Sequence, residues 1–145
     1  VVKIRIGIVL SAHGGAVKEM AIPIRFGVGA AIGTGQQMLS WIHIDDACRI
    51  FMKAMDDETM SGPYNAVAPH PVSNREMTMT IAASLGRRVF LPNVPAFVLK
   101  LLVGGVAEIV LNGSVVSSKK IQETGFQFEY TKAAGAIEHL LKARS

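Results

Sequence analysis

The sequence predicts an α/β fold in which buried parallel strands come first and helices dominate the second half. The chain opens on an apolar, β-branched run, Val1–Leu10, of the kind found in strands covered on both faces by helices. Apolar residues then recur at helical spacing in several later segments. Half of the 145 residues are apolar and 18% are charged, which excludes an intrinsically disordered chain.

The opening strand indicates that the sequence belongs to a larger protein. Parallel strands need neighbours reached through crossover connections, and the sequence begins with Val1 rather than Met. We therefore expect a C-terminal piece of a larger α/β protein. After Gly14-Gly15, a short helix is expected over Ala16–Ala21, and it should stop before Pro23, which has no backbone N–H to donate.

A second strand and helix are predicted between residues 38 and 55. Met38–Ile44 should form the strand, and Asp45 should be the N-cap of the helix, because its carboxylate can accept backbone N–H groups. His43 is expected to brace this turn through a hydrogen bond, and catalysis by His43 or Asp45 is the less favoured interpretation. The helix carries an apolar stripe that we expect to face the core: Ile44, Ala47, Cys48, Phe51, Met52 and Met55.

The remaining elements are mostly helical. Ser73 and Glu76 form a capping box at the start of a helix that Gly86 ends. Short strands are predicted over 64–67 and 89–91, and a helix with an apolar stripe from about Ala96. A short helix over 118–124 and a last helix capped by Thr131 complete the chain; the last helix carries Ile137, Leu140 and Leu141 on its apolar face.

Composition also limits the partners. The net charge is +4, but the basic residues are scattered, so no nucleic-acid partner is expected. The apolar stretch Val94–Leu111 contains Lys100 and Glu108, so it is not predicted to cross a membrane. Cys48 is the single cysteine, which excludes an intrachain disulfide, favours a reducing cytoplasmic setting and predicts a core thiol. The four histidines lack metal-ligand spacing, so no metal site is predicted.

Several segments, taken in order, resemble the extended short-chain dehydrogenase/reductase superfamily. The motif SWIHIDD (Ser40–Asp46) before a helix is similar to that superfamily's strand ending in an aromatic residue, His and Asp-Asp, and RIGIVL (Arg5–Leu10) resembles its sixth sheet strand. More narrowly, the chain resembles the epimerase-like proteins related to nucleoside-diphosphate-sugar epimerases. The segments that carry this narrower likeness are GGA at 14–16, PIRFG at 23–27, GTG at 33–35 and NAVAP at 65–69. PYNA at 63–66 and PVSNRE at 71–76 carry the likeness to the superfamily.

The resemblance implies the C-terminal part of an NAD(P)-binding Rossmann-type protein: the last parallel strands plus a small, mixed, helix-rich substrate domain. Residues 1–93 would end the Rossmann sheet and form the substrate-side region, and residues 94–145 would form the family's small C-terminal domain of unknown function. The cofactor, NAD or NADP, would lie against Gly7, Ile8 and Val9, where a glycine permits close approach. The alternative is that these three residues belong to an ordinary core strand and contact no ligand.

The family's glycine-rich loop and catalytic Tyr-x-x-x-Lys are absent from these 145 residues. Neither Tyr64 nor Tyr130 has Lys four positions later. We therefore expect no catalytic residue in this chain and no hydride transfer without the N-terminal cofactor half.

A substrate pocket is proposed at Arg25, Gln36, Gln37 and Trp41, because glycine-rich loops on rigid scaffolds often bind ligands. The alternative is that these are ordinary polar loop residues that bind no ligand. Many nucleotide-sugar enzymes place a diphosphate-binding arginine two residues before the aromatic residue, and this sequence has Leu39 there, which disfavours a nucleotide-sugar substrate.

Two functions follow. The first is the substrate-side portion of an NAD(P)-dependent epimerase/dehydratase-like oxidoreductase that acts on a small molecule of unknown identity and is inactive without its N-terminal half. The alternative is a non-catalytic binding or assembly module that uses exposed apolar helix faces, above all Ala96–Leu111, and forms a homo-oligomer or binds another chain.

Overall fold

The computed structural model describes residues 1–26, 35–88, 97, 101 and 114–143. Within them the elements follow the order β1 (Val2–Ile6), β2 (Ile8–Leu10), α1 (Ala16–Arg25), β3 (Met38–Leu39), β4 (Trp41–His43), α2 (Ile44–Asp56), β5 (Gly62–Ala66), β6 (Val72–Ser73), α3 (Asn74–Ser84), α4 (Lys119–Glu123) and α5 (Ala133–Lys142).

The first two strands form the centre of a parallel arrangement. β1 pairs with β5 and β2 pairs with β4, both in parallel, and a short antiparallel pair joins β3 to β6. Gly7 donates its N–H to the Ala66 carbonyl, and Ile8 donates to the Ser40 carbonyl. Successive N–H groups of a strand point to opposite edges, so β5 and β4 flank the segment Val2–Leu10, here called the β1–β2 segment, on opposite sides. The predicted parallel sheet is confirmed.

The opening strand is less buried than its sequence predicts. Of its residues only Leu10 is fully buried, and Ile6 keeps 50% of its surface. The expectation of a strand covered on both faces is therefore wrong for this chain, because its own helices cover only part of the strand.

Gly7 interrupts the side-chain alternation of this strand. Val2, Ile4 and Val9 pack against one hydrophobic cluster, whereas Ile8 and Leu10 belong to the other. Ile4 and Val9 are five positions apart and face the same side, so the two-residue alternation slips by one residue between them. The slip divides the predicted single strand into β1 and β2.

Two buried clusters stabilise the fold. The larger joins α1, α3 and α5 to β2 and β4 around Trp41, and it includes Ala133, Ala136, Ile137 and Leu140 of α5. The smaller lies between α2 and the other face of the strands, and it contains Ile42, Ala47, Ile50, Met60, Tyr64, Ala66, Ile121 and Phe126. α5 therefore completes the same core as the strands, although it lies beyond the predicted domain boundary at residue 93, which stays a prediction.

α1 runs through Pro23 to Arg25, so the expected stop before Pro23 is wrong. Proline costs one helical hydrogen bond. Val17, Ala21 and Ile24 are nevertheless buried on one face of the helix, and this packing outweighs the missing bond so close to the helix end.

α2 exposes most of the stripe that was expected to be buried. The buried residues of the helix are Asp46, Ala47 and Ile50. Cys48 is exposed, so it is not a core thiol, and Phe51, Met52 and Met55 keep 43%, 57% and 76% of their surface. The face that the helix buries is therefore the one with Asp46, Ala47 and Ile50, rather than the predicted stripe.

Of the caps predicted for α3 and α5, one is confirmed and one is wrong. Ser73 accepts the Glu76 N–H at 3.1 Å, which confirms the Ser73 half of the predicted capping box, and Gly86 follows α3 with φ +66°. The last helix is preceded by Lys132 without a side-chain cap, so the predicted Thr131 cap is wrong. The strand at 89–91 and the helix from Ala96 lie outside the described residues, apart from residues 97 and 101. No helix within the described ranges has the length and apolar character to span a membrane.

Candidate functional site

The carboxyl ends of β2 and β4 lie side by side. Leu10, the last residue of β2, pairs with His43, the last residue of β4. Ligands of parallel α/β sheets bind at this end of the strands. Leu10 also pairs with Gly15 just before α1, so the turn of residues 11–14 closes over the end of β2. This edge is the candidate site.

Gly7 lies where two backbones approach closely. A Cβ on Gly7 would lie 2.4 Å from the Ser40 carbonyl oxygen and 2.7 Å from Cγ1 of Val67. The absence of a side chain at this position is thus required by the chain itself. This contact accounts for the glycine without a cofactor, whereas the predicted cofactor contact stays a prediction.

Ile8 and Val9, which precede Leu10 in β2, keep partial exposure. The Ile8 N–H is bonded to the Ser40 carbonyl at 2.8 Å, and Val9 pairs with Ile42. Their side chains point into opposite clusters. A ligand at this edge would therefore meet mainly strand backbone.

The predicted substrate residues lie in different surroundings. Arg25 is exposed at the end of α1, Gln36 is exposed, and Gln37 is partly buried. The Gln37 carbonyl accepts the Asn74 N–H at 2.8 Å, and the Gly35 carbonyl accepts the Arg75 N–H at 2.9 Å. The segment 35–37 is therefore fixed to the start of α3, while residues 27–34, which connect it to Arg25, lie outside the described residues.

Trp41 is completely buried, unlike the other predicted substrate residues. Its indole N–H donates to the His70 carbonyl at 2.9 Å, and its own carbonyl accepts the Ala68 N–H at 2.7 Å. The side chain has no exposed surface with which to contact a ligand. Trp41 is part of the core beneath the candidate site, and we leave it out of the proposed pocket.

His43, not Asp45, is the N-cap of α2. Nδ1 of His43 accepts the Asp45 N–H at 3.0 Å, whereas the Asp45 carboxylate is exposed in the first turn. The predicted Asp45 cap is wrong, and the predicted bracing role of His43 is confirmed. Because Nδ1 accepts this bond, neutral His43 carries its proton on Nε2. The 3.7 Å approach of the Asp45 carboxylate to the same nitrogen is thus not an ion pair.

A three-ring cluster covers the buried face of His43. The Tyr130 ring stacks on it with centroids 3.9 Å apart, and Nε2 of His43 lies 3.1 Å from Nδ1 of His139. The His43 tautomer makes Nε2 the donor and His139 the acceptor. Burial lowers the pKa of His43, and neighbouring His139 lowers it further against the opposing effect of Asp45. Burial raises the pKa of Tyr130, with Glu129 and the two aspartates adding to the effect.

Asp46 fixes this cluster to α2, and sequence reasoning missed it. Its side chain is fully buried, and its two carboxylate oxygens accept the Glu129 and Tyr130 N–H groups at 3.0 and 2.9 Å. Arg49 donates to the same carboxylate at 2.8 Å. Asp46 shares a helix face with Ala47 and Ile50, which was the one signal in the sequence for its burial.

His43, Asp45 and His139 come close enough to suggest a metal site, with potential ligand atoms within 4.8 Å of one another. The hydrogen bonds disfavour it. A metal-bound imidazole carries its proton on the other nitrogen and donates from it. If Nε2 of His43 bound a metal, protonated Nδ1 would face the Asp45 N–H, and two donors would meet. The arrangement fits a structural hydrogen-bond chain better than a metal ligand set.

The segment after residue 113 is anchored to the strands by polar contacts. Ser40 Oγ donates to the Ser114 carbonyl and accepts the Val116 N–H. Lys120 donates to the Ser61 and Pro63 carbonyls and lies 4.1 Å above the Tyr64 ring centre. This part of the chain is therefore held against β4 and β5.

Comparison with known proteins shows which proteins the chain is similar to. Residues 94–140 match a family described as a domain of unknown function (DUF1731). Over 141 residues the chain is 37% identical to an epimerase family protein of Staphylococcus aureus strain NCTC 8325 / PS 47, and the match covers 95% of this chain and 46% of that protein. It is 36% identical to the human epimerase family protein SDR39U1, covering 97% of this chain and 48% of that protein.

Solved structures show the same relationship. The human epimerase family protein SDR39U1 with NADPH superposes with a TM-score of 0.87 at 35% identity, over 97% of this chain and 48% of that chain. A nucleoside-diphosphate sugar epimerase from Corynebacterium glutamicum gives 0.75 at 31% identity, over 97% of this chain and 26% of that chain. The chain thus spans about half the length of the curated relatives it matches.

Proposed function

The chain matches the C-terminal portion of epimerase family proteins in sequence and fold, and from this premise we propose that it is the substrate-side part of an NAD(P)-dependent epimerase/dehydratase-like oxidoreductase. The observation that carries the proposal is the parallel pairing of β2 with β4, whose carboxyl ends lie side by side, in a fold that superposes on a human relative solved with NADPH. When bound, the dinucleotide supplies hydride transfer.

The β1–β2 segment fits one end of such a cofactor. Ile8 and Val9 are partly exposed and lie just before the carboxyl end of β2, and a flat nicotinamide ring can approach strand backbone there. Gly7 supports this wall indirectly, because it lets the strand lie against Ser40. The phosphates need a glycine-rich loop at a helix start, and we assign that loop to the N-terminal half.

The proton-transfer groups also belong, in this proposal, to the N-terminal half. A tyrosine base needs a lowered pKa, but the surroundings of Tyr130 raise its pKa. His43 uses both ring nitrogens in hydrogen bonds inside the fold. This chain would therefore be inactive in hydride transfer by itself, and its task would be to close the sheet and shape the pocket.

The pocket that we propose contains Arg25, Gln36 and Gln37, which provide cationic and amide groups for a polar small molecule. The buried Leu39 cannot bind a diphosphate, which continues to disfavour a nucleotide sugar. We place the protein in the cytoplasm as part of the same proposal, because Cys48 is an exposed free thiol that a reducing compartment preserves.

The experiment is a fluorescence titration of the complete polypeptide containing this chain with NADPH and with NADH. We expect saturable binding of at least one of them. The matched pair of variants is Arg25→Ala, in the proposed pocket, and Lys18→Ala, exposed on the same helix; neither should change the cofactor Kd, because neither residue belongs to the proposed cofactor wall at Gly7, Ile8 and Val9. A complete polypeptide that binds neither dinucleotide would overturn the proposal.

A second candidate is a binding or assembly module. The predicted docking helix at 96–111 lies mostly outside the described residues, but the exposed apolar side of α2 favours this function independently. Light scattering of the complete polypeptide tests it, since assembly through α2 predicts a defined oligomer that Met55→Glu dissociates.

A further inference from the structure

A hydrogen-bond chain connects the last helix to the start of α2. The Asp45 N–H donates to Nδ1 of His43 at 3.0 Å, and Nε2 of His43 donates to Nδ1 of His139 at 3.1 Å. His43 is 1% exposed, whereas His139 is exposed on α5. Because Nδ1 of neutral His139 is an acceptor, its own proton lies on Nε2. A solvent-accessible imidazole is therefore linked to the N-cap of α2 through one buried ring.

The buried ring of His43 is held in place, and both of its nitrogens are engaged. Tyr130 stacks on it with an interplanar angle of 15°, and the His139 ring lies with its centroid 5.1 Å away. One nitrogen accepts the bond from Asp45 and the other donates to His139. A change of charge on either histidine must therefore change at least one of these two hydrogen bonds.

Protonation of His139 is incompatible with the neutral arrangement. A histidine cation carries N–H groups on both nitrogens, so Nδ1–H of His139 would face Nε2–H of His43, and two donors would meet. The contact is kept when the Nε2 proton of His43 passes to Nδ1 of His139 and a proton from water binds Nδ1 of His43. The pair then holds one more proton in total, and His43 has changed its tautomer.

The Asp45 carboxylate provides an acceptor for the new Nδ1–H group. Its Oδ2 lies 3.7 Å from Nδ1 of His43, which is too long for a hydrogen bond in the neutral pair. The Asp45 side chain is 54% exposed, so a small rotation brings its carboxylate to the ring. The Asp45 N–H loses its acceptor at the same time. The two states thus differ in which group of Asp45 bonds to His43, the backbone N–H or the carboxylate.

The surroundings determine where the positive charge lies. Burial lowers the pKa of His43, so the charge belongs on the exposed ring of His139. Tyr130 stays neutral, because burial and the neighbouring carboxylates raise its pKa. Among the described residues, the charged and titratable groups next to the pair are Asp45, Asp46, Glu129, Tyr130, Glu138 and Lys142.

We propose that the His43–His139 pair is a proton-sensitive switch, in which uptake of one proton moves Nδ1 of His43 from the Asp45 N–H to the Asp45 carboxylate and releases the N-cap of α2. Histidine changes charge between about pH 5 and pH 8, which sets the range of the switch. His43 pairs with Leu10 at the carboxyl ends of β4 and β2, so the switch acts at the edge of the candidate site. The inference uses contacts within this chain and does not depend on the proposed function.

The test is NMR spectroscopy of the complete polypeptide, labelled with nitrogen-15 in histidine and aspartate and titrated from pH 8 to pH 5. At pH 8 we expect His43 to carry its proton on Nε2. As His139 takes up a proton, the long-range proton–nitrogen couplings of the His43 ring should change to those of the Nδ1–H tautomer. The Asp45 amide signal should shift with the same midpoint.

Two variants and a control sharpen the test. His139→Phe removes the linked proton acceptor, so His43 should not change tautomer over this range. Asp45→Asn removes the charge that would meet Nδ1–H, so the midpoint should fall by about half a pH unit. His13→Gln, at an exposed position in the 11–14 turn, should leave the tautomer change and its midpoint unaltered.

Three results would overturn the proposal. They are a His43 ring that keeps its proton on Nε2 while His139 titrates, different midpoints for the His43 and Asp45 signals, and a tautomer change that persists in His139→Phe. The first two are read on the unmodified protein, so they decide the proposal even where a variant does not fold. Because the samples contain no dinucleotide, a failure here is distinguishable from a failure to bind NADPH or NADH.

Discussion

The β1–β2 segment and the β4–α2 junction (residues 41–46) lie side by side and differ in how many of their groups lack a partner within the described chain. The junction satisfies its polar groups internally: His43 caps the helix and bonds to His139, and Asp46 accepts three N–H groups. The segment has partly exposed residues and an edge of β1 without a partner among the described strands. The conspicuous side chains of SWIHIDD therefore stabilise the fold, and the plain strand beside them is the candidate ligand surface.

The largest effect should come from breaking the junction at Asp46. Asp46→Ala leaves the Glu129 and Tyr130 N–H groups and Arg49 without their acceptor, and we expect a loss of about 3–5 kcal/mol in the free energy of unfolding. Asp45→Ala is the matched control, since its exposed carboxylate only complements the helix dipole and its loss should cost about 0.3–1 kcal/mol. Urea unfolding of the complete polypeptide measures both. Equal losses would contradict the described difference.

The close packing of the β1–β2 segment against Ser40 can be tested by substituting Gly7. Gly7→Ala places a methyl group 2.4 Å from a backbone oxygen that cannot move freely, so we expect a loss of about 1–3 kcal/mol. Gly135→Ala, inside α5 with open space around it, should instead stabilise by about 0.5–1 kcal/mol. Thermal unfolding gives the two signs. A neutral Gly7→Ala would show that the strand does not need this close approach.

A smaller effect concerns pH. The pKa of folded His43 lies below its ordinary value of 6.5, chiefly because of burial, so the unfolded chain binds a proton more readily. The stability due to neutral His43 is complete above about pH 6.5 and is lost as the pH falls through the lowered pKa. The surrounding groups are Asp45, Asp46, Glu129, Tyr130 and His139.

The measurement is urea unfolding between pH 7.5 and 5, with His43→Gln for comparison. At pH 7.5 the variant should lose about 1 kcal/mol as the cap weakens, and its stability should fall less steeply with acid than that of the unchanged protein. His13→Gln, at an exposed position in the 11–14 turn, is the control and should keep the steeper fall. The same slope in all three proteins would contradict the assignment to His43.

The order of elements was predictable, but the side that each helix buries was harder to predict. Strand and helix alternation, the Ser73 cap and the parallel pairing all followed from local pattern. The predicted burial of the α2 stripe was wrong because a sequence shows which residues are apolar, but not which of them pack against other elements. The helix α1 does not stop before Pro23, because the burial of Val17, Ala21 and Ile24 outweighs the one backbone hydrogen bond that proline cannot make.

The junction shows why part of the site escaped sequence reasoning. The bonds of Asp46 to Glu129 and Tyr130 join positions more than 80 residues apart, and His43 meets His139 across 96 residues. No spacing rule connects such positions. Local chemistry favoured Asp45 as the cap, whereas the described backbone places the His43 ring at the Asp45 N–H.

The most direct test of the central claim is hydrogen exchange of the complete polypeptide, followed by mass spectrometry, with and without saturating NADPH or NADH. If the β1–β2 segment is the cofactor wall and the junction is structural, the dinucleotide should slow exchange in peptides containing Ile8 and Val9 and leave peptides of the β4–α2 junction unchanged. Slowed exchange at the junction with no change at Ile8 and Val9 would contradict the account.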